Sequence, residues 1–226
     1  MKKEAIIEGN YRYSLIREWD ENNPNRIVFI MLNPSVADSE VDDRTTKRCI
    51  SFARKWGYGS LEIVNLFAYI SQEYEVLKYL DKHEAIGVNN NKYIKQALER
   101  GKTIVAAWGE NGVIHGRCED FELYSLLRQY KIYCLGRTRD GHPRHPLFVK
   151  SDKQLEEFVI PQRTRLTRTM NHMVEEASRE GLLVDKEGKV ISGDAWMWCE
   201  MCHGEFRISN YPVCENCLGE YKKKHS

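Results

Sequence analysis

Long apolar runs are missing from this sequence: nowhere do its 226 residues approach the roughly 18 consecutive apolar side chains needed to span a bilayer. The opening Met1-Lys-Lys-Glu-Ala-Ile-Ile-Glu-Gly-Asn10 also has no apolar stretch of the kind a secretory leader carries. The expectation is a soluble, cytoplasmic protein with no membrane partner. Net charge is nearly absent as well. With 34 basic and 33 acidic side chains the balance is +1, so there is no global pull toward nucleic acid, and such a partner has to be held by local basic patches. There is no internal repeat and no low-complexity tract. Disulfide spacing is missing too. Of seven cysteines, four form two C-x-x-C pairs near one end and three, Cys49, Cys118 and Cys134, are scattered. That distribution fits metal binding in a reducing compartment, with the scattered three as small buried side chains.

What is present divides the chain. Its length suits a main domain of roughly 150 residues plus a small module: a domain over 1–160, a basic linker over 161–169, and a helix with a metal-binding module over 170–226. Tyr11 to Trp19 alternates imperfectly. Asp20 to Asn25 supplies turn chemistry before the apolar run Ile27 to Leu32, which reads as two strands joined by a hairpin-like turn. Thr45 to Trp56 has helical spacing and stops at Gly57. Leu61 to Phe67, Thr103 to Trp108 and Lys131 to Leu135 read as buried strands, and Glu73 to Asp81, Asn89 to Arg100 and Glu119 to Gln129 as helices. Such alternation predicts an α/β fold with a mainly parallel central sheet flanked by helices. Ligands then bind at the carboxyl ends of the strands, in the loops after Leu32, Phe67, Trp108 and Leu135.

The segment Pro161 to Thr169 has three arginines and no acid. Its plain reading is a solvated linker and its sharper one a phosphate-contacting arm. Met170 to Leu183 reads as a short helix, and Val184 to Ile191 as two strands around a turn. Beyond them, Cys199 and Cys202 are matched by Cys214 and Cys217 at the same C-x-x-C spacing. Two such knuckles supply four thiolates to one Zn²⁺, and a segment this short has little core to fold around without it. The shell is closed, so the zinc is expected to be structural, in a small zinc ribbon; no organic cofactor is expected.

Each strand-end loop carries unusual residues. The first, Met31-Leu-Asn-Pro-Ser-Val-Ala-Asp38, runs on to Asp42 and Asp43. The others hold Val64-Asn-Leu-Phe67, Ala107-Trp-Gly109 and Gly141-His-Pro-Arg-His-Pro-Leu147. Asn33-Pro34 is ordinary turn chemistry on its own, and Asp42-Asp43 suit the start of a helix. Asn65 in an apolar strand needs partners.

Taken together, the loops resemble a widespread bacterial and phage family of domains of unknown function over about residues 10 to 150. Their order is also similar, at greater distance, to that of the uracil-DNA glycosylase superfamily. That resemblance implies a glycosylase-like α/β domain. Asn33, in the Met31 to Ser35 loop, would position the attacking water, with Pro34 and Ser35 beside the base. Asn65 would read the base edge, and His142 would donate to the leaving base. Met31 stands where that pattern has its first Gly, and Ser35 where it has its last Gly or Tyr. Phe67, Tyr69 or Trp108 would stack on a flipped base, Arg144, with Arg137 and Arg139 nearby, would hold phosphates, and His145 would contact the substrate.

The expected partner is nucleic acid, DNA foremost, or a nucleotide, and the expected reaction is hydrolysis of the N-glycosidic bond of a uracil-like or modified pyrimidine. Two alternatives stand beside it. One is a non-catalytic binder of a modified base, nucleotide or protein. The other is a Mg²⁺-dependent hydrolase of nucleotides or phosphoesters built on Asp38, Asp42 and Asp43.

Overall fold

The computed structural model describes residues 1–35 and 40–160, together with four short strands between 183 and 207. By its internal contacts the chain divides into two compact units, Met1–Ile160 and Pro161–Ser226.

In the first unit the strands are β1 (Lys2–Glu8), β2 (Tyr11–Glu18), β3 (Arg26–Met31), β4 (Ser60–Asn65), β5 (Thr103–Ala106), β6 (Ile132–Cys134) and β7 (Glu156–Glu157). They form one seven-stranded sheet in the order β1-β2-β4-β3-β5-β6-β7. The helices are α1 (Arg44–Lys55), α2 (Lys82–Ile86), α3 (Asn90–Arg100) and α4 (Phe121–Leu127), with 3-10 turns at Tyr74–Lys78, Glu110–Glu119 and Pro146–Phe148. Strand alternation places the layers. Ile27, Phe29 and Met31 of β3 pack with Cys49, Phe52 and Ala53 of α1 on one face. Val28, Ile30 and Leu32 pack with Ile94, Ala97 and Leu98 of α3 and with Leu123 and Leu127 of α4 on the other. Cys49, Cys118 and Cys134 are buried thiols outside any disulfide among the described residues, and burial raises the Cys49 and Cys134 pKa values.

The sheet is mixed rather than mainly parallel. β4, β3, β5 and β6 run parallel, while β1 and β2 on one side and β7 on the other pair antiparallel. The hairpin expected of β2 and β3 does not form either. β4 lies between them, antiparallel to β2 (Leu15 opposite Ile63) and parallel to β3 (Ile27 opposite Leu61). The reason lies in Gly59, at the start of β4. Trp19 N and Asp20 N both donate to its carbonyl, its own N–H donates to Asn25 O, and a Cβ here would fall 2.3 Å from Asn23 O. The turn thus arches over Gly59, where only glycine fits. β1 was not anticipated, and the stretch read as a helix from Glu73 is a 3-10 turn followed by α2.

Asp43 caps α1, its carboxylate accepting from Thr46 N at 2.6 Å, and Gly57, at φ +79°, follows its last turn. From α1, Arg48 reaches across to the segment after β6. Its Nη2 donates to Val149 O at 2.7 Å and its Nε to Pro146 O at 3.4 Å.

The second unit contains two antiparallel pairs, Leu183–Val184 with Val190–Ser192 and Trp196–Trp198 with Glu205–Arg207. The linker 161–169, the four zinc-ribbon cysteines and all of the helix expected over 170–183 but its last residue lie outside the described residues, and that residue, Leu183, begins a strand. Among the described residues, no helix is long and apolar enough to cross a membrane.

Candidate functional site

Register brings the parallel strands to one edge. Met31 lies opposite Asn65, Ile30 opposite Ala106, and Ala106 opposite Cys134. The four following loops therefore meet over a cleft of about 980 Å³, lined by residues from all of them. Of the residues singled out by sequence, Asn33, Ser35, Asp42, Asp43, Asn65, Trp108, Arg144 and His145 line it.

Asn33 is held from two sides. Its Nδ2 donates to Pro34 O at 3.0 Å and Ser71 O at 2.9 Å, and Ser71 N donates back to Pro34 O. With both amide hydrogens committed, Oδ1 is the atom through which this side chain can act, as an acceptor. Asn65 is only 1% exposed, and its Oδ1 faces Arg12 Nη2 at 3.5 Å. That contact sets the amide's orientation and leaves Nδ2 buried without a hydrogen-bond partner among the described residues.

The backbone beneath Asn65 is braced. Asn90 Nδ2 donates to Asn65 O at 3.0 Å and Leu66 O at 2.9 Å, and the buried Arg117 adds Nε to Leu66 O at 2.8 Å. Burial pushes the Arg117 pKa down to about 10, so its guanidinium is still charged at neutral pH.

Trp108 is 3% exposed, meets Phe158 edge-on and has no partner for Nε1 among the described residues. Gly112 makes room for the indole, since a Cβ there would lie 2.4 Å from Trp108 Cδ1. Next along, Gly109 (φ +73°) donates its N–H to Pro143 O at 2.9 Å, tying this loop to the one that carries His145. His145 caps the 3-10 turn Pro146–Phe148, its Nδ1 accepting from Leu147 N at 3.3 Å. This bond requires the neutral tautomer with hydrogen on Nε2. Burial lowers the His145 pKa, partly opposed by Asp43.

The model of one family, described as a protein of unknown function (DUF1643), matches residues 12–147, more than half of the chain. The chain belongs to the DUF1643 family. The match begins at Arg12, inside the cleft, and ends beside it at Leu147, so it covers all four loops. No curated protein and no solved structure matches the chain.

Other predicted residues of the DUF1643 domain are placed elsewhere. His142 is not among the cleft-lining residues. It closes a tight turn in which Thr138 N donates to His142 O at 2.8 Å and His142 N donates to Thr138 Oγ1 at 3.3 Å. Phe67 is fully buried in the core, edge-on to His115, with no ring face left for stacking. Pro34 is buried as well.

The acids have local partners: Asp42 accepts from Nε of the buried Arg17 at 2.6 Å, and Asp43 caps α1. Asp38 lies outside the described residues. Among those described, no three His, Cys, Asp or Glu side chains are grouped to hold a metal ion. Cleft residues that the sequence did not single out are Arg12, only 4% exposed, and Arg44, Lys47, Tyr74 and Phe148. Arg12 carried a weak signal, as a charge inside the apolar and aromatic run of β2.

Proposed function

We propose that the DUF1643 domain is a nucleic-acid-directed protein that receives an unstacked, uracil-like or modified pyrimidine base in this cleft and hydrolyses its N-glycosidic bond. One observation carries the reading: two buried donors, Asn65 Nδ2 and Trp108 Nε1, have no partner among the described residues, and both side chains line the cleft. A buried donor left unpaired costs about 1–3 kcal/mol, so such groups suit a ligand that brings acceptors. The ring carbonyls of a pyrimidine are acceptors of that kind.

The remaining groups fit the charge changes of glycosidic cleavage. Positive charge grows on the sugar and negative charge on the departing base, and preorganised dipoles stabilise both. Asn33 Oδ1 accepts from the attacking water and orients it. The donor to the departing base is His145 through Nε2–H, in place of His142. Exposed Arg44, Lys47 and Arg144 stand at the rim for phosphate oxygens. The zinc ribbon proposed for Cys199, Cys202, Cys214 and Cys217 and the arginine-bearing segment 161–169 serve as auxiliary nucleic-acid contacts.

A second reading, base binding without turnover, is favoured by Met31 and Ser35 at the water loop and by the absence of His142 from the cleft-lining residues. The Mg²⁺ reading is weakened by the local partners of Asp42 and Asp43.

Mass spectrometry of bases released from single- and double-stranded DNA containing uracil, mismatches or modified pyrimidines tests the proposal. Release by the wild type but not by Asn33→Ala or His145→Ala is expected. Intact DNA with tight binding of a base would establish the second reading.

A further inference from the structure

A second concavity adjoins the cleft. It is a groove of about 360 Å³ that shares Arg144 and Phe148 with the cleft and continues past them along the segment after β6. Its charge is one-sided. Arg137, Arg144, Lys150 and Lys153 line it against two carboxylates, Asp152 and Glu156, in a chain whose overall balance is only +1.

The floor is Gly136, at φ +107°. A Cβ there would lie 3.5 Å from Lys153 Nζ and 3.6 Å from Arg144 Cδ, so both side chains pass close over bare backbone. Both are positioned by the protein: Arg144 Nε donates to Arg137 O at 2.9 Å, and Lys153 Nζ meets Glu156 at 2.9 Å. Arg137 is held by Glu157 O at 3.2 Å, its guanidinium 5.2 Å from the centre of the Phe158 ring. Phe148, 76% exposed, lines both concavities and presents an apolar ring between them.

We infer that the groove is a backbone track: it holds the phosphates flanking the base in the cleft, and Phe148 stacks on the neighbouring base. Like charges gathered over a glycine floor are favourable when an anion lies among them. A cationic groove beside an exposed aromatic ring is the arrangement that binds single strands independently of sequence. This inference rests on the reading of the cleft as a base site and adds to it the path of the strand, from the cleft along the groove, with the neighbouring base on Phe148.

The test uses the full chain and two probes, deoxyuridine and a fluorescein-labelled eight-nucleotide single-stranded DNA containing one uracil. Lys150→Ala combined with Lys153→Ala is compared with wild type and with Lys92→Ala, an exposed lysine on α3 outside both concavities. The double variant is expected to bind the octamer on the order of tenfold more weakly and to lower the slope of log K against log salt by about 1.4, two phosphates at about 0.7 each. Its affinity for deoxyuridine should stay at the wild-type value, and Lys92→Ala should leave both unchanged. If deoxyuridine fails to bind while octamer binding depends on the two lysines, the groove stands and the base reading of the cleft falls. An octamer affinity and salt slope identical in all three proteins would overturn the groove.

Discussion

Two buried asparagines adjoin each other at the end of β4, and replacing each with leucine separates an amide kept for a ligand from one kept for the fold. Asn90 makes two amide–carbonyl bonds, at 3.0 and 2.9 Å, to the backbone of residues 65 and 66. At about 0.5–1.5 kcal/mol net for each, their loss amounts to roughly 1–3 kcal/mol, an upper figure because leucine also removes Asn90 Oδ1, itself buried without a partner among the described residues. For a domain of this size that lowers Tm by roughly 2–12 °C. Asn65 offers one long contact, 3.5 Å to Arg12, and leaves its Nδ2 without a partner. Leucine at 65 gives up that contact but removes a buried donor whose isolation costs about 1–3 kcal/mol. The two effects offset each other, so Tm should stay within about 4 °C of wild type or rise. Binding should respond in the opposite order. With an acceptor of the base left unpaired, affinity for deoxyuridine should fall about 5- to 150-fold in Asn65→Leu. Differential scanning fluorimetry and titration calorimetry on both variants decide the matter. A Tm loss in Asn65→Leu as large as that in Asn90→Leu, or unchanged deoxyuridine affinity, would refute the assignment of Asn65 as a ligand reader.

Asp42→Ala should cost roughly 3 kcal/mol in urea denaturation, because it strips the carboxylate from a buried guanidinium; an unchanged midpoint with loss of a Mg²⁺-dependent activity would instead make Asp42 a metal ligand. His145 has a folded pKa below its ordinary value of 6.5 through burial, so just below pH 6.5 the unfolded chain binds a proton that the folded one does not. Its stabilisation is therefore complete above pH 6.5 and declines as pH falls toward the folded pKa. His145→Asn, which keeps an acceptor for Leu147 N, should flatten that part of the Tm-against-pH curve, and an unaltered curve would rule out His145 as its source. Purified protein should carry about one Zn²⁺ per chain by elemental analysis and lose it in Cys199→Ser with Cys214→Ser; metal-free wild type would refute the zinc ribbon.

Much of the layering was legible because β3, β4 and β5 are apolar runs, and the period of α1 puts Cys49, Phe52 and Ala53 on one face. Strand order was not. Whether Asp20 to Asn25 closes a hairpin depends on a close approach to Gly59, forty residues or so along the chain, and local turn chemistry carries no trace of it. β1 was hidden because an edge strand with only partial burial has no need of a clean apolar alternation. In the site, Asn33, Asn65 and Trp108 could be found as polar or aromatic residues at the ends of apolar strands. The choice between His142 and His145 could not be made from a motif that contains both. In the structure His145 lines the cleft and caps the next turn, while the His142 backbone closes the Thr138 turn and His142 is not among the cleft-lining residues. Phe67 looked like a stacking surface only because sequence does not tell which side of a strand end turns inward.

The Arg48 clip sets how Phe148 is presented. By fastening Pro146 and Val149 to α1 on either side of it, the clip supports the backbone that carries an exposed ring, so that in the proposed stacking role the ring would meet a base from a mounting assembled during folding. Ordering a loop at the moment of association is among the larger entropic penalties of binding, and here that ordering precedes the encounter. Loss of Arg48, a residue outside the cleft lining, should therefore show itself as a slower on-rate and a more unfavourable binding entropy with the contacts themselves intact.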